Sequence, residues 1–208
     1  MSRSPDLSSI FVLSFTSSDA HAPDQAIKSV AHAAASAPGT IATYAGLQVE
    51  PGPHGAKILW LVVESTAWHQ NTPGSIPEPV ADVLRKIADP ANAKVYHIPF
   101  PSIALPATTG PRPSFDSPVC EVATVRLRRP ENRQGLAKIW DMFYGSEGAQ
   151  GAVGITREDD QLYFAVRGYA SVEAHLQLIA DTPIYATLVG EVNDLAETSV
   201  VHVAFQMY

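Results

Sequence analysis

The feature that most constrains this chain is an internal repeat. Val95-Tyr96-His97-Ile98-Pro99-Phe100 aligns with Val200-Val201-His202-Val203-Ala204-Phe205, and Trp68-His69 aligns with Ala174-His175. The offset is about 105 residues, the size of a small domain rather than of a solenoid repeat. Two histidine pairs in register, inside a matching order of elements, point to one supersecondary unit used twice.

The hydrophobic pattern spells out that unit. Strand-like runs fall at Ser9 to Phe15, Ile41 to Val49, Lys57 to Glu64 and Ala93 to Phe100. Their β-branched and aromatic content favours extended backbone. A helix opens at Pro23-Asp24 and ends at Pro38-Gly39, and a Pro- and Gly-broken helical stretch covers Ala67 to Ala88. The order then recurs. Strands are expected at Glu121 to Arg128, Ala152 to Arg157, Gln161 to Gly168 and Thr198 to Phe205. Helices are expected at Glu131 to Tyr144, at Ser171 to Ala180 with Ser171 as N-cap, and at Ile184 to Leu195. Each half reads β-α-β-β-α-β, the ferredoxin-like unit. The expected domains are 1–100 and 119–208. The Pro-, Thr- and Ser-rich stretch 101–118 is the expected linker.

One face of each antiparallel sheet takes the helices, and the other needs cover. The expected fold is therefore α+β, with the two halves packed sheet to sheet. On the third strand of half two, Leu162, Phe164 and Val166 alternate with Tyr163, Ala165 and Arg167. The first set is assigned to the helix face and the second to the sheet-sheet contact.

Composition narrows the partners. A net charge of -7 repels phosphate backbones and anionic membrane surfaces, so nucleic acid and membrane are excluded as expected partners. Cys120 is the single cysteine, which rules out an intrachain disulfide and a cysteine metal cluster. The polar start of the chain has no signal-peptide pattern, and a cytoplasmic protein is expected. No metal is expected, because His-x-His and His-Glu-x-x-His spacings are absent. No nucleotide cofactor is expected, because no Gly-x-Gly-x-x-Gly follows a strand.

Two segments resemble a known family. One is Gly46 to Glu50 followed by Leu59-Trp60-Leu61-Val62-Val63-Glu64 and Trp68-His69. The other is Tyr163-Phe164-Ala165-Val166-Arg167-Gly168-Tyr169-Ala170-Ser171-Val172-Glu173-Ala174-His175. Both resemble the dimeric α/β-barrel superfamily, within it the antibiotic-biosynthesis-monooxygenase-like group. Tyr169 stands where that group usually has Trp. The resemblance implies a pocket between sheet and helices, cofactor-free chemistry, and activities such as anthrone oxygenation, cyclisation and isomerisation. A plant cyclase of this fold uses a His after a Pro together with a Tyr. Here Pro183-Ile184-Tyr185 places Tyr185 where that His would be, so the cyclase mechanism does not carry over.

Candidate catalytic residues are His202, His97, His175 and Tyr185. Histidine titrates near neutral pH and suits proton transfer. The alternative for the strand pair His97 and His202 is a buried, hydrogen-bonded architectural role. His69 and His175 sit at a pocket rim or serve as caps. Arg167 and Arg126 are candidate anchors for a ligand carboxylate or enolate, or partners of a carboxylate such as Glu121 or Glu64. Trp60, Trp140 and Tyr163, with His69, are candidates for binding a planar apolar substrate, or else core residues. The leading expectation is a cofactor-free cyclase or isomerase acting by enolisation on a hydrophobic, polyketide-like small molecule, with half two the first place to look. An anthrone-type monooxygenase and a non-catalytic binding or stress protein are the alternatives. A homodimer of the whole chain is compatible with each of them.

Overall fold

The computed structural model describes residues 9–16, 23–66, 76–88, 93–99, 112–144 and 151–208. The fold is mixed α+β, with eight strands and six helices among the described residues. Two compact units divide the chain. One comprises residues 1–100 with 203–208, and the other residues 101–202.

The first unit runs β1 (Ser9–Thr16), α1 (Pro23–Ala35), β2 (Thr40–Gln48), β3 (Ile58–Ser65), α2 (Glu78–Ile87) and β4 (Lys94–Pro99). The strand order is β4-β1-β3-β2, the ferredoxin-like arrangement. Helix α1 buries Ile27, Val30, Ala31 and Ala34, spaced three and four apart on one stripe. That stripe and Val80 and Leu84 of α2 lie on Phe11, Leu13, Phe15, Leu59, Leu61 and Val63. Each fully buried large side chain contributes about 1.5–3 kcal/mol.

The first described element of the second unit is a helical turn, α3 (Arg112–Phe115), inside the stretch read as linker, and it buries Ser114 and Phe115. Then follow β5 (Val119–Leu127), α4 (Arg133–Tyr144), β6 (Gly151–Ile155), β7 (Leu162–Tyr169), α5 (Val172–Asp181), α6 (Pro183–Leu195) and β8 (Ala196–Met207). The strand order, β8-β5-β7-β6, repeats that of the first unit. Ser171 caps α5 as its sequence position implies, its hydroxyl accepting from the Ala174 amide at 3.1 Å.

Two departures from the sequence reading matter. Strand β8 is longer than Thr198 to Phe205, and its end pairs with β2 inside the first unit, Phe205 opposite Gly46. A Cβ on Gly46 would lie 2.2 Å from the Ala204 carbonyl oxygen, so only glycine fits there. The faces of β7 are also reversed. Tyr163 and Ala165 pack with Leu136, Ile139, Trp140, Leu188 and Val192 of the helices, while Leu162, Phe164 and Val166 are buried on the opposite face. A run buried on both faces carries no polar side to mark its orientation. No described helix is long and apolar enough to cross a membrane.

Candidate functional site

A cavity of about 100 Å³ lies between the sheet and the helices of the second unit. Its floor is Glu121, Ala123 and Val125 of β5, Ala165, Arg167 and Tyr169 of β7, and Thr198 and Val200 of β8. Helix α4 supplies Trp140, Phe143 and Tyr144, α5 supplies His175, and α6 supplies Tyr185, Val189 and Val192. Gly151 of β6 lets the Tyr144 ring seat, because a Cβ there would come within 2.2 Å of it.

Polar groups converge at one end of this apolar space. Glu121 and Arg167 are register partners across β5 and β7. The Glu121 Oε2 lies 3.2 Å from His175 Nε2, and His175 Nδ1 lies 2.7 Å from His202 Nε2. Burial lowers the His175 pKa below 6.5; Glu121 pulls it up, while His202 and Arg167 push it further down. The neutral imidazole therefore prevails at pH 7, and the hydrogen bonds fix its tautomer. A carboxylate only accepts, so Nε2–H of His175 donates to Glu121. Its Nδ1 then accepts from Nε2–H of His202. The result is a carboxylate-His-His chain with Glu121 and His175 on the cavity wall.

Aromatic rings shape the other sides. Tyr169 stacks on His175 with centroids 4.4 Å apart. The Arg167 guanidinium sits 5.7 Å from the Tyr169 ring centre and 5.5 Å from that of Tyr185. It makes a long, 3.5 Å contact to the Tyr185 hydroxyl. Phe143 stacks on Tyr185. Burial raises the pKa of Tyr144 and Tyr169, so both phenols stay protonated and can donate but not act as bases. The site thus joins a proton acceptor, a proton chain behind it and a cation within one low-dielectric pocket.

The structure gathers some of the candidates and separates others. His175, Arg167, Tyr185 and Trp140 line the cavity, and His202 stands directly behind His175. Tyr163 faces the helices within the core. Trp60 and His97 belong to the first unit. The Trp60 indole donates to Gln48 at 3.2 Å, and His97 stacks on Phe11 at 4.2 Å. Arg126 alternates away from Val125 and forms an exposed ion pair with Asp159. His69 lies outside the described residues. Glu121 and Tyr169 were not singled out as site residues from sequence. The available signal was an acidic residue in phase with Ala123 and Val125 on an inward-facing strand. Among the described residues, no group of three or more His, Cys, Asp or Glu is arranged to hold a metal ion.

Solved structures share this fold across nearly the whole chain. A candidate monooxygenase from Fusobacterium nucleatum subsp. nucleatum is 13% identical, with a TM-score of 0.66 over 97% of this chain and 94% of that one. A candidate monooxygenase from Lactobacillus acidophilus NCFM is 16% identical, with a TM-score of 0.61 over 96% and 95%. An anthrone oxidase-like protein is 11% identical, with a TM-score of 0.63 over 96% and 93%. The fold is thus the tandem ferredoxin-like, dimeric α/β-barrel type. No protein-family profile matches the chain, and no curated protein sequence matches it.

Proposed function

We propose that the chain is a cofactor-free oxygenase of the antibiotic-biosynthesis-monooxygenase-like kind, acting on a small hydrophobic substrate with an acidic C–H or O–H. The observation that carries this reading is the Glu121–His175–His202 chain set beside Arg167 in an apolar cavity. Glu121 takes the substrate proton, with His175 and His202 holding it in place. Arg167 and the Tyr185 hydroxyl stabilise the oxyanion of the resulting enolate, where low dielectric strengthens each interaction. The electron-rich carbon then reacts with dioxygen. An activated methylene becomes a carbonyl, one oxygen atom enters the product and the other leaves as water. The names of the similar structures support oxygenation as the fate of the anion.

A second reading, isomerisation or cyclisation through the same enolate, is supported by the two-histidine chain, which offers a route for returning the proton. Oxygen dependence separates the two. The purified protein is expected to consume oxygen with an acidic methylene substrate and to incorporate label from labelled dioxygen, with no added cofactor. Turnover that proceeds unchanged without oxygen would replace the oxygenase reading with the isomerase one.

A further inference from the structure

We infer that the cavity takes a ligand presenting a single planar ring with an ionisable hydroxyl, and that the cross-strand pair Ala123–Ala165 sets this limit. The inference rests on the proposed site but concerns what fits it. In the first unit the equivalent space is nearly full. There Leu13 faces Leu61 across β1 and β3, and only about 10 Å³ remains beneath α2. In the second unit the corresponding pair is Ala123 facing Ala165. Flanking pairs keep the correspondence: Phe11 with Val63 becomes Glu121 with Arg167, and Phe15 with Leu59 becomes Val125 with Tyr163.

Each leucine-to-alanine difference removes three carbons. Together they remove the carbon count of one benzene ring. An apolar cavity left by truncating a leucine in this way is known to accept benzene. The slot opened at Ala123–Ala165 is contiguous with Arg167 and Tyr185 at its polar end. A ring seated over the two alanines therefore carries its hydroxyl toward the guanidinium and Glu121. At about 100 Å³ the cavity is smaller than the usual 300–1,000 Å³ of pockets for larger ligands, which argues against burying three fused rings.

Calorimetric titration of the full chain tests this without requiring turnover, so loss of the oxygenase reading would leave its result standing. The probes are 4-nitrophenol, 2-naphthol and 2-hydroxyanthracene. Expected is one binding event per chain, with 4-nitrophenol favoured over 2-hydroxyanthracene by roughly tenfold or more. Ala165→Leu and the milder Ala123→Val should weaken 4-nitrophenol by roughly tenfold or more while the thermal melt stays cooperative. Tighter binding of the three-ring probe would overturn the inference. So would undiminished 4-nitrophenol affinity in both folded variants.

Discussion

His97 and His202 occupy equivalent strand positions in the two halves, yet their neighbours differ in kind. In half one, His97 stacks on Phe11, which is flanked in turn by Val63. In half two, the matching positions hold Glu121 and Arg167, and His202 bonds a second histidine that contacts the carboxylate. At these positions the same backbone thus supports a packed apolar pair in one half and a charged pair beside a cavity in the other. Leu13 and Leu61 fill this position in half one, and Ala123 and Ala165 leave it open to the candidate site in half two. An ionic cluster over a cavity forgoes packing energy, and such losses are characteristic of functional sites.

The largest expected effects come from removing the charges that distinguish half two. Arg167→Met should lower turnover by about 10²–10³-fold through lost oxyanion stabilisation. Glu121→Gln should lower it by about 10²–10⁴-fold through lost proton abstraction. His97→Phe, on the packed side, should leave kcat unchanged; steady-state kinetics of the three variants checks the contrast.

Stability should show the reverse asymmetry. Leu61→Ala opens a hole in a filled core and should cost about 2–5 kcal/mol by urea denaturation. Ala165→Leu enters existing space and should cost no more than about 1 kcal/mol. Equal costs would show that the two faces are packed alike.

A smaller effect should appear with pH. His175 has its folded pKa below 6.5, so the unfolded chain binds a proton there before the native one does. Native stability from this group is present above pH 6.5 and is lost as pH falls toward the folded value. Melting curves from about pH 8 to 5 should therefore fall more steeply for the wild type than for His175→Gln. A steeper fall in the variant would contradict the burial assigned to His175. The smallest effect should come from Arg126→Ala, which removes a surface ion pair and should cost under about 1 kcal/mol with turnover unchanged.

The repeat made the fold legible, because element order and hydrophobic period are local properties that survive duplication. Ser171 and the Pro23-Asp24 start show this for single positions. The β7 faces were misread because Leu162 to Val166 is buried throughout, so alternation carries no sign. His175, His202, Arg167 and Tyr185 were legible as chemically able residues. Their assembly around Glu121 was not, since it depends on pairing between strands more than forty positions apart. Arg126 and Arg167 look alike in sequence. Only the register shows that one faces the cavity and the other pairs with Asp159 in the open.

The most direct test of the central claim is the absorbance of 4-nitrophenol bound to the protein at a pH below its own pKa, since its ionised form has a distinct visible band. The account predicts a bound anion in the wild type and in His97→Phe, and a neutral phenol or no binding in Arg167→Met. An anion band that persists in Arg167→Met, or vanishes in a folded His97→Phe, would contradict the assignment of the working site to half two.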